Sequence, residues 1–339
     1  MQPSNVYRLE DVIHLVRSDI ESKCSTTVSL GLEHRERTLL NEVICLRVQT
    51  ASDRFKIFIK INSSGSEENK VHQEFLKTIA FRRFFEDSRP LFDSVEVLGY
   101  YEVSQAIALH GCRGDSLLAS MQASCSWTAP SRLFADTLER ADAVGRWLAY
   151  LERRTTEAGD PHEVADAMYA AAEEAVDRIR RHAFFRSTGP FVDLCRRTIE
   201  AIAPFASTNS IYIAHGDFHP GNFFVTDGTK RSVTAIDLTL SGPQFLGFDA
   251  VYFELQLLHF FSIRRYRPDR IRQVLRAFCW GYGRKIDPTS PTIRALRALL
   301  ALKSLVYLST IAASSSMLTK LSYCVDEAFL SSWTRRALS

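Results

Sequence analysis

The sequence predicts an α+β protein in which a small, mostly antiparallel sheet precedes a larger helical part. Its 339 residues allow roughly two domains of about 100–200 residues each. Strand-like apolar runs separated by polar turns fill the chain up to His110, whereas apolar residues recur at helical spacing beyond Gly114. We therefore expect a β-rich N-terminal domain over residues 1–110 and a mostly helical C-terminal domain over residues 111–339.

The N-terminal domain is predicted to contain two helices and five strands. Its first helix carries an apolar stripe in which Val12, Val16 and Ile20 stand four residues apart. The second helix follows the polar loop Ser63–Glu68 and would interrupt an otherwise antiparallel sheet. The predicted elements are, in order, a helix over Leu9–Ile20, strands over Thr26–Leu32, Asn41–Val48 and Arg54–Asn62, a helix over Asn69–Phe85, and strands over Val95–Val103 and Ala106–His110.

The C-terminal domain is predicted to be helical, with one β interruption. Apolar residues repeat every three or four positions from Leu133 to Leu151, and Pro161 suits the first turn of the next helix. The predicted helices cover residues 133–151, 161–185, 191–202, 249–262, 268–283, 292–314 and 322–336, and the β interruption covers 211–240.

Composition excludes several classes of protein. Hydrophobic residues make up 46% and charged residues 24%, as in ordinary soluble domains. A net charge of +3 predicts no nucleic-acid partner. The seven cysteines are scattered and show no zinc or C-x-x-C spacing. We therefore expect reduced thiols and a cytoplasmic location.

Neither a signal peptide nor a membrane span is predicted. Glu10 and Asp11 stand where a signal peptide requires an apolar core. The best candidate span, Ala298–Leu318, contains Lys303, and its uncharged part is shorter than the roughly 20 apolar residues that a bilayer requires. We interpret it as a buried helix.

The most informative motif is the segment Ile213–Asn222, which reads Ile-Ala-His-Gly-Asp-Phe-His-Pro-Gly-Asn, together with the later Asp237. Phosphoryl transfer uses such a set, because one acceptor orients a hydroxyl nucleophile and two oxygen ligands hold Mg²⁺ on a nucleoside triphosphate. We predict Asp217 for the first role, and Asn222 and Asp237 for the second. These residue types also occur in ordinary turns, but the length of the pattern favours the functional interpretation.

One β-hairpin explains the spacing between Asp217 and Asp237. A turn at Pro220-Gly221 leads into a predicted strand, Phe223–Val225. Asp227-Gly228 then offers a hairpin turn, and Val233–Ile236 returns as the partner strand. The hairpin would bring Asp237 back beside the first part of the motif.

The pattern His-Gly-Asp-x-x-x-x-Asn with a downstream Ile-Asp resembles the catalytic loop of the aminoglycoside phosphotransferase/choline kinase family, relatives of the protein kinases. The resemblance implies a two-lobed, protein-kinase-like fold and transfer of the γ-phosphate of ATP (or GTP) to a hydroxyl of a small molecule, with Mg²⁺ required. It implies that Asp217 is the base, that Asn222 and Asp237 are Mg²⁺ ligands, and that His215 braces the loop. Asp249 resembles a later helix-capping aspartate of the family, with a structural role.

The same chemistry requires a lysine on a strand, held by a glutamate of the next helix, to neutralise phosphate charge. Lys60 lies in a strongly apolar strand, where an inward ammonium is costly unless it is paired. Glu74 lies on the following helix. Lys56 is the rival lysine because it faces the same side of the strand, and Glu67 and Glu68 are rival acids that precede the helix proper.

The nucleotide base is expected beside the segment Ala106–Gly114. Backbone groups around Leu109 and Gly111 are the candidate hydrogen-bond partners, and Gly114-Asp-Ser-Leu117 resembles a Gly-x-x-Leu that follows this segment in the family. One departure concerns the phosphate-covering loop, which normally contains several glycines. Here the corresponding turn has only Gly31, and the hairpin tip is expected at Glu33–Arg37.

The acceptor is expected to be a small molecule rather than a protein. Gly216 stands where protein kinases carry an arginine, and the short passage from Asp237 to Asp249 leaves no room for a long activation segment. Aminoglycosides, amino alcohols, sugars and amino acids remain open. Acids that would hold a polycationic antibiotic are few: Glu254 and Asp326-Glu327.

Further interpretations stay open, both for single residues and for the function. An aromatic stripe that begins at Tyr252 and Phe253 suits helical core or an acceptor pocket, and His219 suits packing or a position facing the substrate. The poverty of glycines motivates an alternative function, a catalytically weak kinase-like protein that binds nucleotide or acts as a scaffold. A protein kinase is the third possibility.

Overall fold

The computed structural model describes residues 9–24, 27–37, 41–51, 53–62, 70–156, 159–181, 189–228, 230–262 and 266–314. The chain divides into two compact units. The first unit comprises Met1–Asp115 and Phe223–Leu240, and the second comprises Ser116–Asn222 and Ser241–Ser339.

The first unit is built on a five-stranded antiparallel sheet of order β1-β2-β3-β6-β5. Helix α2 enters the chain between β3 and the later strands, as predicted. The elements are α1 (Leu9–Cys24), β1 (Ser29–Arg37), β2 (Asn41–Gln49), β3 (Arg54–Asn62), α2 (Lys70–Arg82), β4 (Phe92–Ser94), β5 (Val97–Tyr101) and β6 (Ala106–His110).

The two faces of this sheet have different environments because side chains alternate along a strand. Ile57 and Ile59 of β3 are fully buried in a cluster that also includes Val12 and Val16 of α1. Ile107 of β6 packs on the opposite side in a second cluster that contains Val71 of α2. Period two therefore directs the side chain of Lys60 away from α1.

A second, four-stranded sheet of order β4-β10-β9-β7 contains the predicted hairpin. Strand β9 (Phe223–Val225) pairs antiparallel with β10 (Val233–Ala235), and β10 pairs parallel with β4. The remaining strand is β7 (Asp115–Ser116). The hairpin prediction is confirmed. The strand predicted over Val95–Val103 is present as β5, and the structure adds the short strand β4 just before it in the chain.

The second unit is mostly helical. A small antiparallel ribbon joins β8 (Ile211–Ala214) to β11 (Gly242–Phe245) and interrupts the helices at the predicted place. The helices are α3 (Leu117–Ser124), α4 (Ser131–Thr155), α5 (Pro161–Arg181), α6 (Gly189–Glu200), α7 (Phe248–Ser262), α8 (Pro268–Tyr282) and α9 (Pro291–Ser314). The helix predicted over 322–336 lies outside the described residues.

An aromatic cluster forms the core under the predicted catalytic loop. Phe218 is fully buried, and its ring centroid lies 5.9 Å from that of Trp147 on α4 and 5.8 Å from that of Phe253 on α7. Phe278 of α8 stacks on Phe253 at 4.1 Å. The loop is thus anchored to three helices by one buried side chain, and Phe253 belongs to the core, as one of the two interpretations held.

Within the described helices, none is both long enough and apolar enough to cross a membrane. The predicted helix over 292–314 is present as α9, which contains Lys303. Leu299 and Leu302 of this helix are buried.

Candidate active site

Asp249 holds the entrance of the catalytic loop. Its carboxylate accepts the backbone N–H of His215 at Oδ2 (2.7 Å) and that of Gly216 at Oδ1 (3.0 Å). The backbone N–H of Asp249 donates to the hydroxyl of Tyr212 at 3.0 Å. Burial raises the pKa of Asp249 to about 6, although these hydrogen bonds favour its charged form. Asp249 lies in the first turn of α7, so this helix positions the loop.

His215 is fully buried and supports the loop from inside, at the place predicted for a bracing residue. Its Nδ1 lies 3.3 Å from the backbone N–H of Asp217, which donates to it. The imidazole also meets the ring of Trp147 edge to face at 6.2 Å.

Asp217 projects from the loop with hydrogen-bond donors at both carboxylate oxygens. Tyr252 donates its hydroxyl to Oδ1 at 2.7 Å, and Asn222 donates its Nδ2 to Oδ2 at 3.2 Å. Asn222 Nδ2 also donates to the backbone oxygen of Asp217 at 2.9 Å. Since the amide nitrogen is used in this way, the amide oxygen of Asn222 is the atom that remains for a cation.

His219 lies beside the base. Its Nδ1 accepts the backbone N–H of Gly221 at 3.0 Å, and its Nε2 lies 3.7 Å from Oδ2 of Asp217. When Nδ1 accepts, the proton of a neutral ring sits on Nε2 and is directed to the Asp217 side. His219 is therefore part of the surroundings of the base.

In the first unit, Lys60 and Glu74 form a partly buried ion pair. The Nζ of Lys60 lies 2.6 Å from Oε2 of Glu74 and 3.5 Å from Oδ1 of Asp237. Burial alone would lower the pKa of Lys60, but the two carboxylates outweigh it and raise the pKa above its ordinary value. Burial raises the pKa of Glu74, and the charge of Lys60 opposes this.

The rival lysine takes a different partner. Lys56 Nζ lies 2.8 Å from Oε2 of Glu33, whose Oε1 also contacts Arg47 at 2.6 Å. Hydrogen bonds from Lys56 and Arg47 lower the pKa of Glu33 to about 2. The rival acids Glu67 and Glu68 lie outside the described residues.

Asp237 adopts a left-handed backbone conformation, with φ of 59°. This conformation costs roughly 1–2 kcal/mol for a residue with a side chain, although Asp tolerates it better than most. The hydroxyl of Thr239 donates to Asp237 Oδ1 at 2.9 Å, and Lys77 donates to the backbone oxygen of Thr239 at 2.7 Å. Helix α2 therefore stabilises the turn that carries Asp237.

Lys60, Glu74, Asp237 and Leu109 line one cavity of about 360 Å³ in the first unit. This volume falls within the range of small-molecule sites. A mainly apolar wall completes the cavity, formed by Val43, Phe58, Val95, His110, Cys112, Phe224 and Ile236.

Two backbone N–H groups at the edge of this cavity are already used within the protein. The N–H of Gly111 donates to the oxygen of Lys56 at 2.7 Å, and the N–H of His110 donates to the oxygen of Glu96 at 2.8 Å. Neither is therefore a free donor for a ligand. Across the described chain, no hydrogen bond is formed by the N–H of Cys112, whose residue lines the cavity.

Gly114 is required just after this edge. Its φ is 81°, and a Cβ there would lie 2.2 Å from the backbone oxygen of Val225. Gly31, by contrast, lies inside β1 opposite Arg47, so it is not a turn residue. The expected hairpin tip at Glu33–Arg37 is wrong as well, because β1 continues to Arg37. The connection to β2, residues 38–40, lies outside the described residues.

Sequence reasoning missed three contributors to these sites. Tyr252 was predicted only as part of an aromatic stripe, although its hydroxyl contacts the base. Phe58 and Cys112 line the cavity. Phe58 could have been found from strand alternation, because it faces the same side of the strand as Lys60, whereas no sequence signal indicated Cys112. The acidic candidate Glu254 is paired with Arg297 through three hydrogen bonds of 2.9, 3.1 and 3.2 Å. Asp326 and Glu327 lie outside the described residues.

The fold is that of the protein-kinase-like phosphotransferases. A putative aminoglycoside phosphotransferase from Ralstonia eutropha superposes with a TM-score of 0.59 at 10% identity, over 95% of this chain and 97% of that chain. A choline kinase from Cryptosporidium parvum gives 0.55 at 11% identity, over 97% and 95%. An ethanolamine kinase from Plasmodium vivax gives 0.55 at 13% identity, over 91% and 83%.

Residues 126–286 match the phosphotransferase enzyme family, APH. The resemblance inferred from the catalytic-loop motif is therefore confirmed over this segment, which contains the loop. No curated protein matches the sequence. The family match supports a phosphotransferase, and the fold is the one that such enzymes adopt.

Proposed function

We propose that this protein is a small-molecule kinase that transfers the γ-phosphate of ATP (or GTP) to an alcohol hydroxyl, with Mg²⁺ required. The observation that carries the proposal is the cavity of the first unit, in which the Lys60 ammonium lies 2.6 Å from Glu74 and 3.5 Å from Asp237. A partly buried lysine held in its charged form by carboxylates suits the neutralisation of phosphate oxygens. The apolar wall suits a nucleotide base, and the Cys112 N–H is a donor for it.

Mg²⁺ would supply charge neutralisation at the phosphates when bound. We assign Asn222 and Asp237 as its protein ligands. The amide nitrogen of Asn222 donates to Asp217, so its amide oxygen remains available to the cation. The Asp237 side chain is 41% exposed. Two protein ligands are enough for this ion, because Mg²⁺ usually takes one or two of them together with substrate phosphates.

Asp217 is the proposed base. It would accept the proton of the acceptor hydroxyl as the oxygen attacks phosphorus, while His215 and Asp249 keep the loop in place. Its carboxylate is partly exposed, at 23% of the side chain, so a small acceptor can reach it. We propose a cytoplasmic setting because the described cysteines 45, 112, 125, 195 and 279 are free thiols.

The acceptor is proposed to be a small hydroxyl compound. The pairing of Glu254 with Arg297 removes the acidic residue that would best suit a polycationic antibiotic. The three similar structures are named as a putative aminoglycoside phosphotransferase, a choline kinase and an ethanolamine kinase, which suggests aminoglycosides, choline and ethanolamine as test compounds. These compounds, with hexoses, serine and homoserine, form the panel for the test.

The test measures consumption of ATP and of GTP across this panel, with Mg²⁺ and with EDTA. We expect Mg²⁺-dependent turnover that Asp217→Asn reduces by about 10²-fold or more. Asp227→Asn, at an exposed turn, is the matched control and should behave as wild type. If nucleotide binds but no compound stimulates turnover and Asp217→Asn changes nothing, the kinase proposal fails and the scaffold alternative replaces it. Phosphate transfer to protein alone would indicate a protein kinase.

A further inference from the structure

Tyr252 contacts the predicted base directly. Its hydroxyl donates to Asp217 Oδ1 at 2.7 Å, which is the shortest hydrogen bond to that carboxylate within the described residues. Tyr252 stands three residues after Asp249 on α7, so the helix that holds the loop backbone also reaches the side chain of the base. Gln256 stands one turn further along the same side of α7, and its side chain opposes the rise in the pKa of Tyr252.

We propose that Tyr252, supported by Gln256, is a positioning residue that sets the orientation of the Asp217 carboxylate toward the acceptor hydroxyl. The inference rests on the proposed function, because it assigns Asp217 the role of base. Tyr252 acts through Asp217 and needs no contact with the substrate.

The first argument concerns rotation of the carboxylate. The terminal torsion of an aspartate side chain is broad, so its oxygens are placed by their hydrogen-bond partners. Tyr252 holds Oδ1, and Asn222 holds Oδ2 at 3.2 Å. Each oxygen keeps a further lone pair that can accept a hydrogen bond from the hydroxyl of the substrate. If the Tyr252 hydroxyl is removed, the longer of these two hydrogen bonds, the one from Asn222, remains.

The second argument concerns the stiffness of the donor. The ring of Tyr252 stacks on that of the buried Phe248, one turn earlier on α7, with centroids 6.4 Å apart and planes at 28°. Burial and the charge of Asp217 raise the pKa of Tyr252 well above its ordinary value. The hydroxyl therefore stays protonated in the working pH range and can only donate to the carboxylate. A tyrosine held at the ring and at the hydroxyl has little freedom to follow a rotating carboxylate.

The experiment compares Tyr252→Phe, Gln256→Leu and the double variant with Tyr169→Phe, a control at an exposed tyrosine of α5. The readout is ATP turnover with Mg²⁺, with water as acceptor and with each compound of the panel. We expect Tyr252→Phe to lower kcat by about 10- to 100-fold, the scale of a misplaced reacting group, while KM for ATP stays within about twofold of wild type. Gln256→Leu should lower kcat by a smaller factor.

The double variant separates positioning from packing. Since Gln256 acts through the Tyr252 hydroxyl, its substitution should add nothing in the Tyr252→Phe background. Independent, multiplying effects would contradict the coupling, and a shift of KM for ATP in parallel with kcat would indicate general damage to the fold.

Two outcomes distinguish this inference from the proposed function. If Asp217→Asn abolishes turnover while Tyr252→Phe matches Tyr169→Phe, the positioning role is overturned and the kinase assignment stands. If wild-type turnover is absent or indifferent to Asp217→Asn, the proposed function itself fails, and the positioning role falls with it.

Discussion

Asp249 accepts the backbone N–H of His215 at 2.7 Å through one oxygen of a fully buried carboxylate, and its other oxygen accepts the next N–H of the chain. Two successive peptide groups are thereby fixed just before Asp217. The acid that anchors the loop lies 34 residues later in the chain than His215. A carboxylate suits this position because both of its oxygens accept and neither donates.

Asp249→Asn should therefore destabilise the second unit and reduce activity. The amide presents a donor to one of the two N–H groups, and a buried unsatisfied N–H costs about 1–3 kcal/mol. Chemical denaturation should show that loss, and ATP turnover should fall as the loop loosens. Asp193→Asn, at an exposed aspartate of α6 paired with Arg180, is the control. Equal stability of the two variants would contradict the anchoring role.

The choice between two lysines on β3 can be tested directly. Lys60→Met should reduce ATP turnover by about 10²–10³-fold, because a positioned charge is lost from the phosphate site. Lys56→Met should stay within a few fold of wild type, since its ammonium pairs with Glu33. Steady-state kinetics with ATP as the varied substrate provide the comparison. A greater loss in Lys56→Met than in Lys60→Met would reverse the assignment.

Glu152 should make stability depend on pH. Its side chain is fully buried, accepts the Tyr282 hydroxyl at 2.6 Å and lies 3.5 Å from the Arg284 guanidinium. Burial raises its pKa from 4.5 to about 7. Between these values the unfolded chain has released the proton and the folded chain has kept it. Its contribution to stability is therefore full below about pH 4.5 and is lost as pH rises through about 7.

The shift corresponds to about 3 kcal/mol. We expect the free energy of unfolding of Glu152→Gln, measured relative to wild type, to rise by up to that amount between pH 4.5 and 8. Denaturant titrations at several pH values provide the measurement, with the exposed Glu163→Gln as control. A difference between Glu152→Gln and wild type that does not change with pH would show that Glu152 keeps an ordinary pKa in the folded protein.

The contact between α4 and α8 depends on a glycine. A Cβ at Gly281 would lie 1.9 Å from the backbone oxygen of Asp142. Gly281→Ala should therefore cost about 1–3 kcal/mol through displacement of the helices, despite the better helix propensity of alanine. Gly189→Ala, in α6 with open space around its Cα, should be neutral or slightly stabilising. Thermal unfolding of both variants tests the contact, and equal melting temperatures would refute it.

Local patterns predicted most of the elements correctly. Apolar residues at every second position predicted the strands around Lys60, and apolar residues at a spacing of 3.6 predicted the helices from α4 onward. The turn residues between β9 and β10 predicted the hairpin that carries Asp237. The prediction missed β4 (Phe92–Ser94), a three-residue strand that joins a different sheet from β5, the next strand of the chain. Propensity cannot tell which sheet a short run will join, because pairing depends on distant partners.

The candidate site likewise divides into features that the sequence predicted and features that only the tertiary structure revealed. The order of residues along the chain was enough to select Asp217, Asn222, Asp237, Lys60 and Glu74 as candidates, since their chemistry is encoded in residue type and spacing. Tertiary structure alone decided that Tyr252 and Asn222 hold the two oxygens of Asp217, that Glu254 is neutralised by Arg297, and that the Gly111 N–H is already used. Each of these depends on which groups meet after helices and strands pack. Hydrogen bonds act over about 3 Å between atoms that can be far apart in the chain, so no local pattern records them.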